Sequence, residues 1–135
     1  VLFFSTHQWP LYPMTGRPEE TGRGDGQGTT INCPFGAGAG REEILGAFTD
    51  KLIPAANRFN PELVLISAGF DSRISDPLGG FNLTDDDFAE LTKLMLGIAR
   101  KHASGRLVST LEGGYNPSGL GKAVLAHCQT LATAT

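Results

Sequence analysis

The sequence predicts an α/β fold built on a mainly parallel sheet, and two observations carry this expectation. First, short apolar runs alternate along the chain with longer segments in which apolar residues recur at helical spacing. Second, the run at residues 63–67 is nearly continuous in apolar character, as is typical of parallel strands covered by helices on both faces, and a second apolar run follows at residues 106–111. Such sheets bind ligands just beyond the carboxyl ends of their strands. We therefore expect a three-layer α/β/α arrangement with its functional groups at these strand ends.

The N-terminal part of the chain contains two predicted strands, a loop and a long helix. Residues 1–6 and 29–35 have the composition of strands, whereas residues 15–28 are rich in glycine and charge without periodicity, which indicates a surface loop. Apolar residues recur at helical spacing across residues 41–59, and two glutamates occupy the first turn, where the helix dipole favours acids. Pro54 is expected to interrupt or kink this helix, because proline lacks the backbone N–H.

A second helix follows the strand at residues 63–67. It is predicted to begin after Thr84, a favourable N-cap, with Asp85, Asp86 and Asp87 in its first turn. Acids in this position are stabilised by the helix dipole, so the three aspartates fit a helix start. A divalent cation site is the alternative role for the same three side chains.

The last predicted helix spans residues 117–131. Its expected buried side is made of five apolar or weakly polar residues, namely Leu120, Val124, Leu125, Cys128 and Leu131. Cys33 and Cys128 are isolated in the sequence and lack the C-x-x-C spacing of thiolate metal sites. We expect both to be buried free thiols.

Composition excludes several classes of function. The chain has 135 residues, enough for a single domain, with a net charge of −3 and no stripe of Lys and Arg, so direct nucleic-acid binding is not expected. No apolar run approaches the roughly 20 residues of a membrane span, and the first residues lack the pattern of a signal peptide. These features favour a soluble, cytoplasmic protein, with a nuclear location open for a eukaryotic source.

Two polar side chains stand out because each follows a predicted strand. Asp71 comes directly after the run at 63–67 and its glycine, and Tyr115 follows the run at 106–111 through a pair of glycines. Since the carboxyl ends of parallel strands meet at one edge of a sheet, we expect the carboxylate and the phenol to share a site. An aspartate in this position binds a metal, accepts a proton or caps the next turn, and the residues alone leave these roles open.

Two glycine-rich motifs extend this pattern. Residues 71–80 read Asp-Ser-Arg-Ile-Ser-Asp-Pro-Leu-Gly-Gly, and residues 111–116 read Leu-Glu-Gly-Gly-Tyr-Asn. In combination they closely resemble the zinc-dependent histone deacetylase family, which includes acetylpolyamine amidohydrolases and shares its open parallel sheet with the arginases. The resemblance runs from residue 1 to residue 131. It implies a single unit over residues 1–135 that forms the C-terminal part of an arginase/deacetylase-like catalytic domain.

The resemblance assigns roles to the residues at the two strand ends. Asp71 matches a zinc ligand, and Tyr115 matches the phenol that hydrogen-bonds the substrate carbonyl. A zinc ion would polarise that carbonyl and lower the pKa of water to about 7. Gly113 and Gly114 would leave the backbone free for an extended acyl-lysine to pass close beside it.

Further positions match the channel and a second cation site. Leu78 matches a residue that lines the acyl-lysine channel, and Tyr12 matches an aromatic wall of the same channel. Ser5 and Thr6 match a segment whose oxygen atoms help to bind a structural potassium ion. His7 follows them directly, and we interpret it as structural because the catalytic histidines of the family lie elsewhere.

The family also needs two further zinc ligands and a His-His pair, which this sequence does not contain. His7, His102 and His127 are solitary, and the last two fall on predicted helices, where a surface or boundary role is expected. One aspartate cannot hold catalytic zinc, since such sites normally use three protein ligands and a water. We therefore expect the C-terminal half of a deacetylase-like domain that acts on acetyl-lysine, acetylpolyamine or another small amide, with the isolated chain inactive. The alternative is a non-catalytic remnant that forms homo-oligomers or binds a partner through an exposed sheet edge.

Overall fold

Two pairs of parallel strands form the centre of the fold. The structure, a computed structural model, describes residues 1–133. Strand β1 (Phe3–Gln8) pairs with β2 (Thr30–Phe35), and β3 (Val64–Ala68) pairs with β4 (Leu107–Leu111). Each predicted strand is confirmed to within two residues at either end. Across residues 1–133, no helix has the length and apolar character needed to cross a membrane.

Helical segments connect the strands, as predicted. They are α1 (Arg41–Ala47), a π-helical turn (Phe48–Leu52), α2 (Ile53–Phe59), α3 (Asp85–His102) and α4 (Pro117–Ala132). The predicted interruption at Pro54 takes the form of the π turn, which ends just before Pro54 in the first turn of α2. A proline is tolerated in the first turn of a helix because the N–H groups of that turn have no carbonyl partner within the helix, so the missing N–H costs no bond. The predicted loop over residues 15–28 is irregular apart from a short 3-10 turn at Gly24–Gly26.

The three consecutive aspartates begin α3. The Asp87 carboxylate accepts hydrogen bonds from the backbone N–H and the hydroxyl of Thr84, both at 2.8 Å, and the bond from the N–H belongs to a capping box at the start of the helix. Arg41 donates to Asp87 at 2.6 Å, and Arg73 holds Asp85 through two bonds of 2.7 and 3.0 Å. The prediction of a helix start is therefore confirmed, and two of the three acids are already paired with arginines.

The helices cover one face of the strand pairs. Alternate residues of β3, Val64, Ile66 and Ala68, pack in two apolar clusters with residues of α2, α3 and α4. On the opposite face Leu65 and its cross-strand partner Val108 are 69% and 56% exposed. The continuous apolar run predicted helices on both faces, and the described residues supply one of these two helical layers.

The two strand pairs are neighbours without being hydrogen-bonded into one sheet. Phe4 of β1 packs edge-to-face against Phe48 with ring centroids 5.0 Å apart, and both rings pack against the cluster that contains Val64 of β3. Within residues 1–133, however, β1 pairs with β2 alone and β3 with β4 alone. Each pair therefore presents unpaired strand edges, which are templates for further strands.

The buried side of α4 agrees with the prediction in part. Leu120 and Val124 pack against the apolar core as predicted, whereas Leu125 and Cys128 are exposed. The most deeply buried residues of α4 are Gly119, Ala123, His127 and Thr130, and small side chains among them let α4 approach α3 and β4 closely. The expectation of a buried thiol is confirmed for Cys33 and wrong for Cys128.

His127 is also more deeply placed than expected. It is 7% exposed, and its ring nitrogens bond to the hydroxyls of Thr92 at 2.6 Å and Ser109 at 2.9 Å. Because the Thr92 hydroxyl donates to the Phe88 carbonyl, it accepts from Nδ1–H of the histidine. His127 thereby joins α4 to α3 and β4, and the expected surface or boundary role is wrong for this residue. His102 is only partly buried and bonds to Asn57 and Asn60, which fits that role.

Candidate functional site

The ends of β3 and β4 stay together beyond the last regular pair. The Phe70 N–H donates to the Gly113 carbonyl at 2.9 Å, and the Glu112 N–H donates to the Ala68 carbonyl at 3.0 Å. These bonds bring Asp71 directly beside Gly113. The predicted convergence of the two strand ends is thus observed, and it follows from parallel pairing of two strands of similar length.

Asp71 is half-buried in a glycine-lined niche. A Cβ atom built on Gly113 would lie 2.5 Å from Oδ2 of Asp71, and one built on Gly69 would lie 3.1 Å from Oδ1. Burial raises the pKa of Asp71, the nearby carboxylates of Asp76 and Glu112 raise it further, and backbone N–H groups at residues 71 and 72 act in the opposite direction. A nearby cation would therefore stabilise the charged form of this carboxylate.

Asp71 can serve as one ligand of a metal ion, but the described residues around it do not form a complete metal site. Over residues 1–133, no group of three or more His, Cys, Asp or Glu side chains is placed to hold a metal ion. A half-buried carboxylate at a strand end suits zinc, which takes oxygen, nitrogen and sulfur ligands. The remaining ligands of a three-ligand site would have to come from outside the described residues.

Tyr115 lies at the junction of β4 and α4. Its side chain is 52% exposed, and its backbone N–H donates to the Asp76 carboxylate at 2.7 Å. Asn116 caps α4 by accepting from the Gly119 N–H at 3.2 Å, so the chain turns sharply just after the tyrosine. Gly114 has a positive φ of 136°, and a Cβ there would meet Leu120 at 2.7 Å, which is why glycine precedes the tyrosine.

The loop after β3 contains Leu78 and packs beside Asp71 at the strand ends. Oδ1 of Asp76 accepts from the Leu78 and Gly79 N–H groups at 2.9 and 3.0 Å, which folds the loop into a turn. Gly79 lies against the Asp71 backbone, where a Cβ would be 1.8 Å from the carbonyl oxygen. Leu78 is 67% exposed at the tip of this turn. The Asp-Pro-x-Gly pattern that begins at Asp76 is a turn signal in the sequence, although it does not indicate what else the carboxylate binds.

The remaining predicted site residues lie on the other strand pair. Ser5 and Thr6 stand opposite Asn32 and Cys33 in the β1–β2 register, and Tyr12 is 96% exposed in the following loop. An open cavity of about 710 Å³ adjoins this region, with Ser5 and Tyr12 among its lining residues.

Two side chains of β1 tie this strand to its surroundings. The Ser5 hydroxyl bonds to Nδ1 of His7 at 3.0 Å, and Nε2 of His7 bonds to the Gly16 carbonyl at 2.9 Å, which fits the structural role predicted for the histidine. Gln8 links the two strand pairs, because its Oε1 accepts from the Gly80 N–H at 2.7 Å.

Known proteins resemble this chain along nearly its whole length. The histone deacetylase domain family matches residues 1–131. A probable deacetylase from Archaeoglobus fulgidus is 45% identical over 119 residues, which cover 88% of this chain and 33% of that protein. The human polyamine deacetylase HDAC10 is 41% identical over 138 aligned residues, which cover 97% of this chain and 20% of that protein.

The fold of this chain also matches solved structures. The HD domain of HDA15 superposes with a TM-score of 0.91 at 32% identity, covering 99% of this chain and 38% of that one. The histone deacetylase Clr3 also gives 0.91, at 36% identity, covering 98% of this chain and 23% of that one. The chain thus spans about a third or less of the length of the curated relatives described above. The matched family and both structural neighbours establish that this chain belongs to the histone deacetylase domain family and carries a part of its arginase/deacetylase fold.

Proposed function

We propose that this chain supplies the C-terminal part of a zinc-dependent amidohydrolase site that removes acyl groups from acetyl-lysine, acetylpolyamine or a similar amide. The observation that carries the proposal is the convergence of the ends of two parallel strands, which brings Asp71 against Gly113, two residues before Tyr115. Family membership gives this convergence its chemical meaning, because the same positions were matched to a metal ligand and a carbonyl-binding phenol.

Asp71 would hold the zinc through its carboxylate, together with ligands from the rest of the domain. When bound, the zinc would polarise the acyl carbonyl and lower the pKa of water to about 7, so that hydrolysis proceeds near neutral pH. Burial already raises the pKa of Asp71, and a cation beside the carboxylate would lower it again. Because this chain offers one ligand, it is expected to be inactive by itself.

Tyr115 would bind the carbonyl oxygen of the substrate. Its hydroxyl would donate a hydrogen bond that strengthens as negative charge develops on that oxygen, an effect worth about 3 kcal/mol in comparable sites. The side chain is half-exposed, so a substrate can reach it. Gly113 and Gly114 precede it without side chains, which lets an extended acyl-lysine lie close to the backbone.

The approach to the site would be lined by exposed apolar side chains. Leu78 is 67% and Tyr12 96% exposed, as expected for surfaces that cover the methylene chain of a lysine or polyamine. Ser5 and Thr6 would contribute oxygen atoms to a structural potassium ion. The unpaired strand edges and the exposed face at Leu65 favour completion by further parts of the same domain.

Replacement of Tyr115 tests the proposal directly. In the complete domain, Tyr115→Phe should retain zinc and lower the hydrolysis rate of acetyl-lysine peptides and acetylspermidine by about 100-fold or more. Zinc content by atomic absorption and initial rates by amine release provide the two measurements. Loss of zinc from the variant, or an unchanged rate, would refute the role assigned to the phenol.

The exposed face favours a second candidate function. Leu65 and Val108 form an apolar pair on a strand pair with unpaired edges, which suits a non-catalytic module that joins a second copy or a partner. Sedimentation of the chain alone, with and without the remainder of the domain, separates the two functions. A defined homo-oligomer that excludes the remainder supports the module, whereas a stoichiometric complex with hydrolytic activity supports the enzyme.

A further inference from the structure

Asp76 joins the two segments that leave β3 and β4. One carboxylate oxygen, Oδ1, accepts the N–H groups of Leu78 and Gly79, and this alone is enough to close the turn. The other oxygen, Oδ2, accepts the N–H of Tyr115, which lies 39 positions further along the chain. The second bond has no part in the local turn and serves to hold the tyrosine.

The bond to Tyr115 has the features of a strong one. Its length of 2.7 Å lies at the short end of the range for N–H donors to carboxylates. Burial acts to raise the pKa of Asp76, but the backbone N–H groups of Tyr115, Leu78, Gly79 and Asn116 together hold it below the usual value. The carboxylate is therefore ionised at neutral pH and is surrounded by donors.

A neighbouring bond strengthens the same junction. The Asn116 side-chain amide donates to the Ser75 carbonyl at 3.0 Å, so two successive residues of the β4–α4 junction are tied to the loop after β3. Gly79 of this loop rests on the Asp71 backbone. The position of Tyr115 relative to Asp71 is consequently set through the Asp76 loop as well as through the β3–β4 ladder.

We propose that Asp76 is a positioning residue, which fixes the main chain of Tyr115 against Asp71 so that the phenol meets the substrate carbonyl. This inference rests on the function proposed above, in which Tyr115 binds that carbonyl. Asp76 itself does not touch the substrate. An aspartate is required because its two oxygens are acceptors only, whereas an asparagine would turn a donor toward one of the N–H groups.

Asp76→Asn is therefore a selective variant. The amide oxygen can keep the two bonds of the turn, and the NH₂ group then faces the Tyr115 N–H, donor against donor. Asp86→Asn removes the same charge from an exposed position in the first turn of α3 and is the matched control. Both are made in the chain joined to the remainder of the deacetylase domain.

Amide hydrogen exchange gives the first readout. Loss of a hydrogen bond to a charged group should speed exchange at Tyr115 by about 10- to 100-fold in Asp76→Asn and leave it unchanged in Asp86→Asn. Turnover gives the second: kcat should fall by about 10-fold or more, while KM and zinc content stay unchanged. Unaltered exchange and kcat in Asp76→Asn would overturn the inference, as would a loss of zinc.

A double-variant cycle separates positioning from general structural support. If Asp76 acts through the phenol, adding Asp76→Asn to Tyr115→Phe should lower kcat little further. An equal fold-loss in both backgrounds would show that Asp76 acts independently of the tyrosine and would overturn the inference.

One measurement needs no variant. Scalar coupling across the hydrogen bond, between the Tyr115 amide nitrogen and the carboxylate carbon of Asp76, should be detectable by NMR in the unmodified domain. Its absence would overturn the inference even if Asp76→Asn failed to fold. An unmodified domain that hydrolyses no acyl substrate would refute the proposed function, while the coupling and exchange would still decide whether Asp76 holds Tyr115.

Discussion

Gly113→Ala tests the geometry of the strand-end niche through a single methyl group. The added Cβ would lie 2.5 Å from Oδ2 of Asp71, whereas ordinary van der Waals contact begins at 3.4 Å. The Asp71 carboxylate would therefore have to move away by about 0.9 Å. Gly113 does not have a positive φ, and alanine can therefore adopt its backbone conformation. The methyl group acts on the Asp71 side chain rather than on the fold of the strand end.

A displacement of about 0.9 Å is large for a carboxylate that binds a metal ion. Metal–ligand distances in working sites fall within about 0.2 Å of their ideal values. Disturbing the groups that orient a ligand typically costs 10- to 100-fold in metal affinity. We expect Gly113→Ala to weaken zinc binding by about that factor in the complete domain, with a stability cost of about 1–3 kcal/mol from overpacking.

Chelator competition measures the affinity, and urea unfolding of the metal-free domain measures the stability. Gly97→Ala is the matched control, because it adds the same methyl group on α3 with nothing within 4 Å. That variant should bind zinc normally and gain about 0.5–1 kcal/mol from helix propensity. If Gly113→Ala binds zinc as tightly as the unmodified domain, Asp71 is not the ligand that the niche indicates.

Three further predictions concern stability, helix capping and assembly. Burial lowers the pKa of His127, so its contribution to stability is fully present above about pH 6.5, the pKa of the unfolded state, and is lost as the pH falls below that value. Urea unfolding at pH 7.5 and 5.5 should show this loss, and His127→Gln should flatten that pH dependence. Thr84→Ala removes the N-cap hydroxyl of α3, which also bonds to Asp87, and should cost about 1 kcal/mol in the same assay. Thr49→Ala, whose exposed hydroxyl bonds only to neighbours in its own helical turn, should cost less. Leu65→Lys should make the lone chain more monodisperse in sedimentation, because it breaks the apolar face, and should also weaken its complex with the remainder of the domain; undiminished complex formation would show that this face stays uncovered.

Local signals in the sequence predicted much of the secondary structure. Thr84 and the three aspartates marked the start of α3, and the glycine pair before Tyr115 marked the end of β4, because capping and turn chemistry depend on neighbours in the chain. The meeting of the two strand ends that lead to Asp71 and Tyr115 followed from one further rule, that the carboxyl ends of parallel strands lie at one edge.

Long-range partners were not predictable in the same way. Nothing local indicates that Asp76 reaches Tyr115 or that Arg41 reaches Asp87, since each pair is 39 or more residues apart. Part of the face of α4 was misjudged, because Leu125 is more apolar than His127, whereas the structure buries the histidine between two hydroxyl groups. Periodicity ranks side chains by polarity and carries no information about the partners that satisfy a buried polar group.

The central claim is that this chain holds one part of a divided site, with Asp71 as its metal ligand and Tyr115 as its carbonyl donor. Zinc-dependent hydrolysis of an acetyl-lysine peptide tests it most directly, measured for the chain alone and for the chain joined to the remainder of the domain. We expect no turnover by the chain alone, turnover by the joined domain, and loss of both zinc and turnover in the joined Asp71→Ala variant. Turnover by the chain alone, or an inactive joined domain that holds zinc, would contradict the claim.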